Sequence, residues 1–428
     1  MISRRKFAQS VAASAAVIVS PLRGAPRPRL PQKWQSTWDA ALATLAGNIR
    51  TPWQYDKPVL IEGSTYDGIW LECGPHEGLV YAQLAQYVAP ASISPFDVAR
   101  DNHMGFFKLQ RDDGQLPANI KSTSVGYGQI QMVVPIAATA FELAQLRKDE
   151  ELLVTAYRAC SRWDGWLRRY RNTRGTGLVE GFCTYDTGHD NSPRWKGIPN
   201  RCPDGDARKA PDAPGMPRLC PDLSATTYGS RCALAAMARE LGKADEAARW
   251  SEDAEAIRLL ILDKLYSPED AAFYDLDAAG KFVRVRSDVI SRVLGEHVLK
   301  LDHKRDREIF EAVWNRQLHN PAAFWANYPL TSIAQNDPAF VRPIPRNSWG
   351  GASQALTALR APRWMPHYGK RAELREMMQK WCEAIARHTE FRQQIDPNTG
   401  EFTQPDPGGY SPAALTFLLY ASMLGQSG

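Results

Sequence analysis

Apolar positions recur at three- and four-residue steps along most of the chain, the spacing that puts one apolar face on an α-helix. Ala244–Leu265 places Trp250, Ala254, Ile257, Ile261 and Leu265 on one stripe, and Arg371–His388 does so with Leu374, Met377, Met378, Trp381 and Ile385. Stripes of this kind are core faces. The same reading predicts helices near residues 35–47, 77–88, 97–110, 131–146, 149–171, 225–241, 285–297, 305–316, 351–359 and 411–424. Strict alternation is scarce, so strands are few. Lys281–Val285 and Phe273–Leu276 are expected to pair as a short hairpin. About twelve helices are too many for one simple bundle. A two-layer ring buries nearly all of six inner helices and one face of six outer ones, which predicts an all-α fold, an (α/α)6 toroidal barrel of the six-hairpin kind. No short repeat supports an α-solenoid instead. Long aromatic-rich loops at one end of such a ring would line a cleft; Asp67–Glu77, Gly181–Ile198, Asn320–Gly351 and Gln393–Tyr410 qualify.

Composition narrows the function classes. The 428 residues are 44% hydrophobic and 23% charged, with 52 basic and 47 acidic side chains for a net charge of +5, too mild and dispersed for a nucleic-acid partner. Basic density concentrates only at the start. Ser3-Arg4-Arg5-Lys6-Phe7 precedes a short apolar run, Val11–Val19, then Pro21 and Gly24-Ala25. A twin arginine ahead of such a run resembles a twin-arginine export signal, and the run is far shorter than the ~20 residues that span a bilayer. Residues 1–30 are therefore expected to be a signal and Pro-rich leader, and 31–428 one catalytic domain. The mature protein would be periplasmic or secreted, with no membrane contact after processing. Of seven cysteines, Cys202 and Cys220 flank a Pro/Gly/Asp-rich loop, and in an oxidising compartment a disulfide between them would close it. With no Cys-x-x-Cys or His-x-x-x-His pair, neither structural zinc nor a cofactor is expected.

The chemistry concentrates in Glu180–Trp195, which carries Asp186, His189, Asp190, Arg194, Phe182, Tyr185 and Trp195. Glycoside cleavage needs a carboxylic acid beside the leaving oxygen and a second carboxylate across the sugar ring. Aromatic neighbours that exclude water favour the protonated form such an acid requires. An Asx-type turn capped by Asp190 accounts for the same residues equally well.

The segment Gly188-His189-Asp190-Asn191-Ser192-Pro193-Arg194 resembles the Gly-x-Asp-Asn-Ser-Pro-Arg motif of glycoside hydrolase family 63 and its relatives, with the family 37 trehalases more distant. Further stretches match in order: Gln110–Pro117, Gln129–Pro135, Phe273-Tyr274-Asp275, Asn320–Phe340, the loop Arg346–Gly351, and Asp396–Glu401 with Gly408–Ala414. The resemblance implies an inverting O-glycosyl hydrolase acting on a carbohydrate, an α-glycoside or oligosaccharide, with Asp190 as general acid. It also implies a general-base Glu four residues before Pro397, where this chain has Gln393. A neutral amide cannot take a proton from water as a carboxylate does. Glu401, Glu390, Asp396 and Asp406 lie nearby; Glu401 is favoured as base because it sits in a loop, and a shift of three residues would promote Glu390.

Sugar-contact candidates are Trp70, Glu72, His76, Gln129, Gln131, Tyr185, His189, Arg194, Trp195, Arg346, Trp349 and Gln393, which supply flat apolar faces and planar polar groups. Arg346 would also suit a substrate carboxylate. His76 and Glu77 after Pro75 equally suit the opening of a helix. Two other functions fit the same fold: a carbohydrate-binding protein that has lost its base, and a polysaccharide lyase recruiting Tyr185, His189 and Arg194.

Overall fold

The computed structural model describes residues 28–426 apart from 89–92, 343–348, 404 and 406; the leader up to residue 27, Arg346 and Asp406 lie outside the described residues. Twelve α-helices are described: α1 Gln32–Gly47, α2 Gly74–Gln83, α3 Pro95–Lys108, α4 Ile136–Arg147, α5 Glu150–Tyr170, α6 Pro221–Glu240, α7 Ala244–Lys264, α8 Val289–Gly295, α9 Lys304–Val313, α10 Ala355–Trp364, α11 Arg371–Ala386 and α12 Ser411–Gln426. The even-numbered helices form a closed inner ring. α2 packs on α4, α4 on α6, α6 on α8, α8 on α10, α10 on α12, and α12 returns to α2. The outer helices include α3 against α2, α5 against α4, α7 against α6 and α1 against α12. This is the (α/α)6 barrel that the periodicity predicts.

Burial separates the two layers. In α12 the residues from Ser411 to Leu418 are all buried, and α2 is buried from Gly74 to Ala82. Outer α5 instead buries one stripe, Leu152, Leu153, Ala156, Tyr157, Ala159, Cys160, Trp163, Trp166 and Leu167, and starts where the Asp149 carboxylate accepts from Leu152 N. α3 is capped in the same way by Ser94, with Pro95 in its first turn. No described helix is long and apolar enough to cross a membrane.

Differences from the expected boundaries have local causes. α4 begins at Ile136 rather than 131 because Pro135 holds an extended conformation and keeps the preceding residues out of the helix; Gln129–Val134 is left as a loop at the mouth of the ring. The expected hairpin forms, as Asp275–Leu276 against Phe282–Val283, but extends into a four-stranded sheet with Arg218–Leu219 and Glu180–Gly181. That sheet anchors the start of the loop carrying Asp190.

Candidate active site

Two buried guanidinium centres shape the acid loop. Arg171 pairs with Asp186, whose carboxylate also accepts from Phe182 N (2.7 Å) and Ile130 N (2.9 Å). Asp186 therefore joins the acid loop to the Gln129–Gln131 loop. The second centre is Arg194, which reaches Asp222 through two bonds of 2.7 and 2.8 Å and Asp275 through bonds of 2.8 and 2.5 Å. Cys183, Asp186 and Cys202 form one cluster of potential metal ligands among the described residues, and Cys220, Asp222 and Asp275 form the other. Arg171 and Arg194 already pair with the carboxylates of these clusters, so the sequence-based assignment of Arg194 to sugar contact gives way to a structural role. Trp195 follows it: the ring is buried between the Arg194 and Arg218 guanidiniums and its Nε1–H donates to Thr187 Oγ1.

His189 is also fully buried. Its Nδ1 faces Arg194 Nη1 at 3.1 Å, and its Nε2 lies 2.7 Å from Asp288 Oδ1. A guanidinium only donates, so Nδ1 is the acceptor and Nε2 carries the proton given to Asp288. Burial, and then Arg292, pushes the imidazole down to about 4, so it is neutral at pH 7. Burial alone would raise Asp288, but Arg292 and His189 together outweigh it and hold its carboxyl below the usual range. His189 thus supports the loop from beneath and does not line the cleft. His76 likewise lies inside α2, where burial, Arg363 and Arg360 push it well below its usual value, and it belongs to the helix opening.

Above this layer Asp190 is half-buried, between Gly188 at φ +62° and Asn191 at φ +58°. A Cβ on Gly188 would overlap Glu72 Oε2, so glycine is required for close approach as well as for its backbone angle. Gln131 has φ +45°. Left-handed non-glycine residues each cost about 1–3 kcal/mol and concentrate at functional sites; here two flank one cleft. Glu72 is bonded by Gln131, which in turn accepts from Gln129 Nε2 (3.0 Å). Trp349 N donates to Asp190 O (3.3 Å), and the Trp349 ring lies 5.1 Å from that of His189. Trp349 shares an apolar cluster with Trp70, Cys73 and Leu356. Trp70 is half-exposed and meets Tyr66 edge-on at 5.5 Å. Tyr66 OH donates to Gln393 Oε1 (3.0 Å). Tyr185 is half-buried on the acid loop and accepts from Asn200 Nδ2 (3.2 Å). Contacts thus bring Asp190, Glu72, Gln131, Trp70, Trp349, Tyr66 and Gln393 into one region.

The two expected bases are elsewhere. Glu401 pairs with Arg387 (3.1 Å) and His388 (2.8 Å), its side chain 52% exposed. Glu390 pairs with Arg392 on the exposed side of the segment whose buried side carries Gln393. Sequence reasoning missed Glu62, Tyr66 and Tyr410. Glu62 Oε1 accepts from Tyr410 OH (2.6 Å), and the rings of Tyr66 and Tyr410 lie 6.0 Å apart. Single residues in irregular loops carry no periodic signal that would have found them. Asp288 and Arg292 were also missed, although charges four apart at an otherwise apolar inner helix were a usable one.

The cysteine pairing differs as well. Cys202 Sγ lies 3.7 Å from Cys183 Sγ, both buried beside Phe182, whereas Cys220 borders Asp222 and Asp275 with its thiol toward Arg218 O. Burial pushes the Cys183 thiol up, which suppresses exchange in the native state. Refolding in a glutathione redox buffer should therefore give a Cys183–Cys202 cross-linked peptide in a digest, closing the acid loop and adding about 3 kcal/mol. A Cys202–Cys220 peptide would contradict this geometry.

The profile of the mannosylglycerate hydrolase MGH1-like glycoside hydrolase domain matches residues 91–412. A search of curated protein sequences finds no match. Among solved structures, the family 63 mannosylglycerate hydrolase from Thermus thermophilus in complex with glucose superposes with a TM-score of 0.66 at 18% identity, over 90% of this chain and 99% of that one. The same enzyme with Tris and D-glycerate gives 0.67 at 17% identity with the same coverage. A neutral trehalase from Saccharomyces cerevisiae gives 0.63 at 14% identity, over 86% of this chain and 75% of that one. At these identities the structural likenesses establish the fold.

Proposed function

The chain belongs to the mannosylglycerate hydrolase MGH1-like glycoside hydrolase family, and from that premise we propose that it hydrolyses the α-glycosidic bond of a small glycoside by an inverting mechanism with Asp190 as general acid. One observation carries the reading. Of the two carboxylates in the Gly181–Trp195 loop, Asp186 is fully buried against Arg171, while Asp190 is half-buried at the cleft.

Asp190 gives its proton to the leaving oxygen as the C1–O bond breaks, and a water attacks C1 from the opposite face, with a second carboxylate taking the water's proton. Trp70 and Tyr66 offer flat faces to a pyranose ring, and Gln129, Gln131, Glu72 and Gln393 offer planar polar groups to its hydroxyls. D-glycerate in the Thermus complex belongs to that enzyme; for this chain it motivates a sugar joined to a small acid as the first substrate class. Export by the twin-arginine segment is part of the same proposal, and it would place turnover in the periplasm or outside the cell.

Gln393 supports a second reading, sugar binding without turnover. Incubating the purified protein with α-mannosyl- and α-glucosyl-glycerate separates the two: release of free sugar supports hydrolysis, and calorimetric binding with no release overturns it.

A further inference from the structure

Inversion requires a second carboxylate across the cleft from Asp190, and neither Glu401 nor Glu390 turns inward. The described carboxylates that bear electrostatically on one another beside Asp190 include Glu62, Glu72 and Glu77. Glu77 has no exposure and lies beside Cys73 inside α2. Glu72 lies under the acid loop itself, against Gly188, with Arg360 and Arg292 as counter-charges. Glu62 stands on the wall formed by Tyr66, Tyr410 and Gln393, beside the position where the resemblance puts the base.

This wall is built from distant parts of the chain. The turn Gly63–Tyr66 closes on itself through Gly63 N to Tyr66 O (3.1 Å) and Tyr66 N to Gly63 O (2.9 Å). Ser411 N donates to Glu62 O (2.8 Å), so Glu62 is held to the start of α12. Tyr410 OH binds Oε1. The Gln393 amide, fixed through its carbonyl oxygen by Tyr66 OH, is one hydroxyl away from the same wall. Asp190 is close enough to be felt electrostatically by both Glu62 and Tyr66.

We propose that Glu62 is the general base of this enzyme, taking over from the position held by Gln393, whose amide orients the attacking water. This rests on the glycosidase reading with Asp190 as acid. In the step, the water oxygen forms its bond to C1, the C1–O bond to the leaving group breaks, the water's proton passes to a Glu62 oxygen, and the proton of Asp190 passes to the leaving oxygen. Burial raises the Glu62 carboxyl well above its usual value, reinforced by Glu77 of α2, Glu72 of the preceding loop and Asp190, and opposed by the bond from Tyr410. A base raised in this way is a stronger proton acceptor once ionised.

The test uses α-glucosyl and α-mannosyl fluoride, whose leaving group needs no proton, beside an ordinary glycoside. Glu62→Gln keeps the shape, accepts from Tyr410 and removes a buried charge, so its thermal midpoint should match or exceed that of the parent. We expect it to lose about 10³-fold in kcat on both substrate types with KM little changed, while Asp190→Asn fails on the glycoside and still cleaves the fluoride. Fluoride hydrolysis by Asp190→Asn should then rise with pH along a single limb set by Glu62. Azide, which attacks without a base, should restore turnover of the fluoride to Glu62→Ala and give the β-glycosyl azide. Glu62→Gln retaining activity on both substrates would overturn the proposal and leave Asp190 in place. Loss of both activities in Asp190→Asn would count against the acid instead, and a β-azide from Glu62→Ala would still stand for the base.

Discussion

Asp190→Asn is expected to lower kcat on an unactivated glycoside by about 10³-fold, within the 10²–10⁴ that general acid catalysis contributes, with KM and folding almost unchanged. Asn keeps the shape of the side chain but cannot deliver a proton. The loop should hold its course, because the anchors around it, Arg171 with Asp186 and Arg194 with Asp222 and Asp275, are untouched. The loss should shrink as the leaving group becomes more acidic, since a good leaving group departs without help. Rates across a series of aryl glycosides would check this. A loss that stays the same from poor to good leaving groups would mean that Asp190 does something other than donate a proton.

Arg194→Met should produce the largest loss of stability. It leaves the Asp222 and Asp275 carboxylates buried without their shared counter-charge, and removing one member of a buried ion network costs about 3–5 kcal/mol. The sign of the pH dependence follows. In the native protein burial would raise Asp222, but Arg194 and Arg292 overcome it and hold the carboxyl below its usual value. That contribution is present above the unfolded pKa and is lost as pH falls through the folded one. Without Arg194 burial dominates, the folded pKa rises above the unfolded one, and the variant loses stability as pH rises. Arg194→Met should therefore melt higher at pH 5 than at pH 8. A thermal scan at the two values checks it, and a variant as stable as the parent at pH 8 would remove the structural role assigned to Arg194.

The ring was legible because its signal is periodic. Outer helices such as α7 and α11 show one apolar stripe, and α12 is apolar on all sides, so both layers can be read from spacing alone. The family was legible through the order of matching loops, which is also what singles out Asp190 as the proposed acid. The opposite wall was not, since Glu62 and Tyr410 lie 348 residues apart in sequence and meet only where the barrel closes. Proximity in sequence misled for the base: Glu390 and Glu401 are near Gln393 along the chain, yet the Arg392, Arg387 and His388 side chains hold them outside. It misled for the disulfide too, because the pairing of Glu180–Gly181 with Arg218–Leu219 sets Cys220 against Asp222 and Asp275 while Cys202 meets Cys183. Arg194 and Trp195 carry the composition of sugar contacts, but burial assigns them to the support of the loop.

The central claim is inverting hydrolysis by Asp190 and a base on the far wall, and proton NMR of the first-formed sugar tests it most directly. Followed from the first minute on an α-linked substrate, before mutarotation, the anomeric signal should be that of the β-sugar, with the α-anomer appearing later. An α-sugar formed first, or no free sugar from any α-glycoside that the protein binds, would contradict the account.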